Sequence, residues 1–473
     1  MLRDLTSLVG GQLAGRLLGF VAFAYLARVL APEGYGAVEF AAGLAMVAGI
    51  FVDAGVGTIG VRRLSRGSQG VERIAGEVLA TRLTMAVASA VALALAAWFI
   101  VPDPTASRLV ALYAVSLLGI PWAQAWLFQG TEQVGYTALV HVVRMATFAA
   151  GVVVLVGEAA DAVRVGGVEI AAVAVAALVA AALQSRRVAP VRLHFEPRAM
   201  LALVRESLPV GLSNVIWAVN QYFPPLLVAS LAGLHAAAFF AAAHRLCVSL
   251  STFAWVYHFN LFPTITRRAA EGRAGLETLV RDSLRVSAWA AIGLATALSV
   301  AAQGVLVLVF GAGFAVAAAP FALLIWTFPI QVLSDHPRWT LVANGHDRAV
   351  TLAQSAGTVL TLGLGALLIP RSGPLGGAVA VLVAAVVVWA LLQATAVRRL
   401  GWMPWWPFVL PAAVAASLLL AARLLELPSL VEGALAAVAF VLLAALVDRQ
   451  LLEAFGRLSR ARSARQPPDA SER

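Results

Sequence analysis

The sequence predicts an all-α integral membrane protein of about 14 transmembrane helices, in two pseudo-symmetric six-helix lobes plus two C-terminal helices. Three observations predict this class. Of 473 residues, 61% are hydrophobic and only 12% charged, whereas soluble domains run about 45–50% apolar and about 25% charged. The apolar runs are continuous and rich in Ala, Leu and Val, so they read as helices. Barrel strands would alternate polar and apolar residues, and only helices and closed barrels satisfy their backbones in lipid. The basic residues are confined largely to alternate connections between the runs, which is how membrane topology is encoded.

A helix crossing about 30 Å of hydrocarbon needs about 20 apolar residues. By that measure the spans lie at 8–30, 37–60, 78–101, 107–129, 134–156, 167–184, 208–231, 236–260, 284–302, 314–333, 350–369, 375–396, 405–424 and 430–447. The stretch 303–313 (QGVLVLVFGAG) either extends the ninth span or forms a short re-entrant piece. The first span follows Arg3 and Asp4, is too long for a signal-peptide core and lacks a clear cleavage site, so it is expected to stay in the protein.

All 34 basic residues are arginine, which excludes lysine chemistry such as a Schiff base. Placing the N-terminus inside assigns 24 arginines to cytoplasmic segments and 4 (Arg108, Arg164, Arg371 and Arg423) to outside loops. Both termini are therefore expected on the cytoplasmic side. The formal charge of +10 is spread over short connections, so nucleic acid is not an expected partner. Outside loops are short, the longest lying near Gly157–Gly166. Trp402, Trp405 and Trp406 read as an interfacial anchor, and the tail from Arg457 as a polar, basic, disordered segment resting on anionic lipid.

SLVGGQLAG from Ser7 parallels SLPVGLSNV from Ser207, and EFAAGLA from Glu39 parallels FFAAAHR from Phe239, both at an offset of about 200 residues. This fits an N-terminal lobe at 1–185, a C-terminal lobe at 186–400, two extra helices at 401–450 and a tail at 451–473. Parallel repeats of this kind are a common transporter architecture, with substrate held near the midplane. The seventh span carries Asn214, Asn220, Gln221 and the pair Pro224–Pro225. Two prolines remove two backbone donors and should break or bend the helix, so this segment is a candidate conformational hinge.

No catalytic constellation, phosphate loop or nucleotide fingerprint is present, and the chain reads as a non-enzyme without cofactor. The histidines (141, 194, 235, 244, 258, 336 and 346) show no metal-ligand spacing, and no metal is expected. Cys247, the one cysteine, excludes an intramolecular disulfide. The interior arginines carry more information. Arg16, Arg144 and Arg245 fall near the middles of spans 1, 5 and 8, and charges at that depth face a bundle interior or a water-filled cavity. Together they suggest a cationic cavity for a phosphate or diphosphate. The competing reading is that each is neutralised by a carboxylate, for which Glu39, Asp53 and Glu132 are the acids noted. His141 shares a helix face with Arg144 and reads as a buried, hydrogen-bonded histidine or a proton carrier. Asp53 is a coupling residue, an arginine partner or a helix-end stabiliser. Arg28, twelve residues after Arg16, snorkels to the interface.

LVGGQLAGRLLGFVAFAYLARVLAPEGYGAVEF, with DAGVGTIGVRRLSR closing the second span and AWLFQGTEQVGYTAL before the fifth, resembles the start of Wzx-type polysaccharide flippases of the MOP exporter superfamily. The resemblance implies fourteen helices working by alternating access in a bacterial inner membrane. The implied cargo is an undecaprenyl-diphosphate-linked oligosaccharide, with membrane lipids, a polysaccharide polymerase and a chain-length regulator as further partners. GRLLGF also resembles the first helix of lipid II flippases, which implies a substrate-contact role for Arg16. Ala22 stands where those flippases carry a second arginine, which favours a different glycolipid. The alternatives are a lipid II-type flippase, a multidrug antiporter of the same superfamily, and a polytopic polymerase or ligase, which would need a large external loop.

Overall fold

The computed structural model describes residues 2–66, 70–190, 192–424 and 427–463, and among these residues the regular structure is helical throughout, with no strand. Eleven helical segments are long and apolar enough to cross a membrane. Two helices are far too long for one crossing. The helix Pro197–Glu271 has 75 residues and leaves helical geometry at Gly233 (φ 87, ψ 169), and Asp347–Leu400 has 54 and does so at Gly373 (φ 52, ψ −131). Only glycine adopts such dihedrals cheaply, so each apolar run folds back there. Counting the halves separately, with the shorter apolar segment Trp406–Ala422, the described residues hold about fourteen candidate crossings. The chain divides into two compact units, Met1–Ala241 and Ala242–Arg473.

The first unit begins with α1 (Leu2–Val29), α2 (Ala31–Asp53), α3 (Val56–Arg66) and α4 (Val71–Phe99). It continues through α5 (Pro104–Ser116), α6 (Ala125–Gly130), α7 (Val134–Leu155) and α8 (Arg164–Arg187) into the first part of α9 (Pro197–Glu271). Pro32 opens α2, where a missing N–H costs nothing. Asp103 caps α5, its carboxylate accepting from the Ala106 amide at 2.7 Å. Ile59, Ile74, Val78, Leu127 and Leu203 join α3, α4, α6 and α9 in one core cluster. The opposite face of α4 exposes Val87, Val91, Leu95 and Trp98 in helical register, as a lipid-facing surface requires.

Two predicted spans of this unit are interrupted. The second breaks at Ala54 (φ 40) and Gly55 (φ 81), between α2 and α3. The fourth runs from α5 into a 3-10 segment, Leu117–Ala123, containing Pro121, then turns at Gln124 (φ 49) before α6. The loop after α7 is a single 3-10 turn, Ala159–Val163, closed by reciprocal Glu158 and Asp161 capping.

The second unit holds the rest of α9, then α10 (Arg273–Val300), α11 (Ala302–Phe310), α12 (Ala318–Leu324), α13 (Thr327–Ala343), α14 (Asp347–Leu400), α15 (Val409–Ala422), α16 (Ser429–Val447) and α17 (Arg449–Ser463). α10 is central, packing against α13, α15, α16 and α17.

At four places the structure refines or corrects the expectation. The backbone of α9 stays helical through Pro224 and Pro225, and the chain turns at Gly233, in the connection predicted between the seventh and eighth spans. Residues 302–310 form a separate short helix stopped by Gly311 (φ 100), so they do not extend the ninth span. Trp402 is buried with Ile265, Leu392 and Met403 and is core, while Trp405 and Trp406 remain exposed. The tail is helical as far as Ser463, because it has carboxylates to dock on. Arg457 donates to Asp282 on α10 from Nε (2.7 Å) and Nη2 (3.2 Å), and Arg285 pairs with Asp448 at 3.6 Å. The hydrogen bonds and charge of Asp282 raise the Arg457 guanidinium further above its ordinary pKa. Residues 464–473 lie outside the described residues.

Candidate functional site

In the first unit the site starts from three glycines. Gly11, Gly15 and Gly19 recur every four residues and so share one face of α1. That face lies on Ala138, His141 and Met145 of α7. A methyl group at Gly11 would come within 2.6 Å of the Ala138 Cβ, and one at Gly15 would collide with the His141 ring. Small residues of this kind let helix backbones approach in lipid, where van der Waals packing drives association.

The close crossing places charge beside the seam. Arg16 follows Gly15 and its side chain is exposed. It lies three to four residues from the middle of the Gly10–Val29 span, roughly 5 Å along the axis. His141 is within electrostatic range of both Arg16 and Arg144, and its Nε2 is buried without a hydrogen-bond partner among the described residues. Arg144 stands at the centre of the Val134–Leu155 span and is hydrogen-bonded to Glu169 of α8. Glu169 is buried and Arg144 about one-third exposed (33%). The acid that meets Arg144 is therefore none of Glu39, Asp53 and Glu132 but Glu169, in the second turn of α8.

A second charged pair occupies the helix breaks. Asp53, the last residue of α2, faces Arg82 of α4 with Nε 3.1 Å from Oδ1. Arg82 is nearly buried and also donates to the Pro121 carbonyl at 3.5 Å. Gln124, 1% exposed, turns the chain beside Pro121, and neither its Oε1 nor its Nε2 finds a hydrogen-bond partner among the described residues. Gly57 and Gly60 of α3 lie against the Trp126 indole, and Gly57 adjoins Asp53. Two interrupted helices therefore meet around one ion pair, with Arg82 buried and Asp53 partly exposed. Arg82 sits three residues from the centre of its span, and the sequence reading left it unassigned.

Arg245 belongs to the second unit, partly buried on α9 beside His244, and its carbonyl accepts from Ser249 Oγ at 2.8 Å. Gln221 and Pro225 are partly buried, and Pro224 is buried. The side chain of Asn220 lies outside the described residues. Arg28 is exposed in the last turn of α1. Among the described residues no group of three or more His, Cys, Asp or Glu is placed to hold a metal ion. The structure does bring together His258 and His336, 78 positions apart, which no local pattern could have paired.

The profile of the family described as polysaccharide biosynthesis protein matches residues 1–268. No curated protein matches the chain. Among solved structures the fold is similar to a lipid II flippase MurJ in an inward closed conformation, with TM-score 0.72 and 12% identity over 93% of this chain and 99% of that one. It is also similar to an inward-facing multidrug resistance MATE family transporter of the MOP superfamily, with TM-score 0.61 and 14% identity over 82% and 94%. A MOP superfamily transporter from Pyrococcus furiosus, described as having a binding pocket of reversed polarity, gives TM-score 0.54 and 13% identity over 84% and 95%. At these identities the likeness is one of fold.

Proposed function

The chain belongs to the polysaccharide biosynthesis protein family, and from that premise we propose that this multi-pass membrane protein is a flippase for a lipid-linked oligosaccharide. The cargo is a glycan repeat unit on undecaprenyl diphosphate, moved between leaflets of a bacterial inner membrane by alternating access, with both termini cytoplasmic. A transport role is in keeping with the MOP-type fold.

The observation that carries the reading is Arg16, an exposed guanidinium a few ångströms from the middle of an apolar helix. A charge there costs at least about 2.5–3.5 kcal/mol in lipid, and charges at such depth characteristically face a bundle interior or a water-filled cavity and mark substrate pathways. A guanidinium matches the fork geometry of phosphate oxygens. Arg245 in the second unit is assigned the same kind of contact. Arg144 is assigned a lesser one, because Glu169 neutralises it and leaves it to orient the His141 side of the seam. The glycan reading is preferred to a cationic drug because the chain belongs to the polysaccharide biosynthesis protein family and the side chains it offers at mid-span, Arg16 and Arg245, are cationic.

The test is glycan export in a host lacking its own flippase. Arg16→Ala and Arg245→Ala are expected to abolish surface glycan while both proteins insert normally. Normal export by either variant would remove that arginine from the substrate site, and failure of the unaltered protein to restore export would remove the flippase reading.

A further inference from the structure

We propose that Tyr257, His258, Ser283, Asp335 and His336 form a proton-binding site that powers the transport cycle, an inference that rests on the transporter reading above. Three separate stretches of sequence converge to make it: α9 after Gly233, α10 and α13. His258 and His336 are fully buried, as is Ser283, and Asp335 is 3% exposed. The imidazoles meet edge to face, with His258 Nε2 3.2 Å from His336 Nδ1.

Hydrogen-bond chemistry dictates where the protons lie. The Nδ1 of His258 is 2.9 Å from the Ala254 carbonyl, and the Nδ1 of His336 is 2.7 Å from the Val332 carbonyl. A carbonyl only accepts, so each Nδ1 carries the hydrogen and each Nε2 is bare. His258 Nε2 therefore accepts from His336 Nδ1–H, which is shared with Val332. His336 Nε2 accepts from the Ser283 hydroxyl at 2.9 Å, and Ser283 Oγ in turn accepts from Tyr257 at 2.8 Å. The result is a one-directional chain, Tyr257 to Ser283 to His336 to His258, in which the neutral pair has each ring nitrogen in use.

An added proton must enter at an Nε2 and reverse part of that chain. Entry at His336 Nε2 makes Ser283 rotate from donor to acceptor, and entry at His258 Nε2 parts the two rings. The counter-charge is in place. Asp335 Oδ2 is 3.7 Å from His258 Nδ1 and has no hydrogen-bond partner among the described residues, while Oδ1 is held by Arg338 at 3.3 Å. Protonation converts a neutral imidazole beside a half-paired carboxylate into a buried ion pair, and so changes the forces among three helices at once. α13 is weakest at this point, because Pro337 follows His336 and removes a backbone donor.

The site is enclosed. On one side Leu250, Ala254, Ala291, Phe328 and Val332 pack together, and on the other Leu261, Ile265, Val280, Trp339 and Leu341 do. The remaining charged groups around it are few. Arg338 and Gln331 face Asp335 from α13, and Asp282, beside Ser283 on α10, is bound by Arg457. α14, which packs on α13, holds no Asp, Glu or His between Arg348 and Leu400.

Two measurements test this. In 15N-histidine-labelled protein in lipid nanodiscs, His258 and His336 are assigned by His→Gln substitution and titrated by NMR from about pH 8 to about pH 5. Uptake of a proton by the pair is expected, and neutrality of both rings throughout would overturn the proposal. Phosphatidylethanolamine–phosphatidylglycerol vesicles containing the protein are then given a fluorescent undecaprenyl-diphosphate disaccharide and a pH gradient. Coupling to one proton shifts the leaflet distribution of the probe by about tenfold per pH unit, and His258→Gln or His336→Gln abolishes the shift. Translocation that ignores the gradient would overturn the proposed coupling while leaving the flippase reading intact. Proton uptake with no translocation of the probe would support the proton site and count against the flippase reading.

Discussion

Arg82 of α4 stands with its Nε 3.1 Å from Oδ1 of Asp53, joining the end of α2 to the interior of the neighbouring helix where the second and fourth spans are both interrupted. Removing one partner leaves the other uncompensated. Asp53→Ala is expected to destabilise the protein by about 3 kcal/mol, the low end for buried pairs because Asp53 is 35% exposed. Asp53→Leu/Arg82→Leu is expected to recover most of that loss. Thermal unfolding followed by size-exclusion fluorescence in detergent measures both, and equal loss in single and double variants would show that the pair is not what holds the breaks together.

The Arg144–Glu169 pair allows stability and function to be separated. Glu169→Ala should destabilise by roughly 3 kcal/mol through the unpaired Arg144, whereas Arg144→Met/Glu169→Met should be stable. Export by the double variant is expected to stay within a few-fold of normal, unlike Arg16→Ala. Complete loss of export in a stably inserted double variant would assign Arg144 to the substrate directly.

At the α1–α7 seam, Gly15→Val drives a branched side chain into the His141 ring. Overpacking of this kind costs about 1–3 kcal/mol. Gly10→Val, five residues earlier, meets open space and is expected to be neutral. The two variants, compared by thermal stability, distinguish a packed seam from a generally intolerant helix.

Gly233 occupies dihedrals that a side chain strains by about 1–3 kcal/mol. Gly233→Ala should therefore lower stability, and Pro224→Ala should leave the turn in place because the backbone is already helical there. Spin-label distances across Gly233 would check this, and a large change in Pro224→Ala would return the hinge to the proline pair.

The legible parts of this protein are the ones that depend on local composition. Apolar runs of about twenty residues announce the crossings because a helix in lipid must satisfy its own backbone and present apolar side chains to the hydrocarbon. Residues 1–66 carry the family resemblance in contiguous motifs. Arg16 and Arg144 were visible because arginine is costly at mid-span wherever it occurs. Their surroundings were not. Glu169 looks like one more polar residue near a helix start until α8 packs on α7 and sets it against Arg144. Arg82 looks like one of several arginines left within spans until Asp53 meets it.

The sequence by itself determined that the chain lives in a membrane, that it crosses about fourteen times, and that it belongs with polysaccharide biosynthesis proteins. Tertiary structure alone decided where spans break internally, as at Ala54–Gly55 and Gln124. It also decided which charges are neutralised and which histidines touch. Hydropathy is a sum over neighbouring residues and survives in one dimension, whereas an ion pair or an imidazole dyad depends on distances of a few ångströms between residues that may be 78 positions apart.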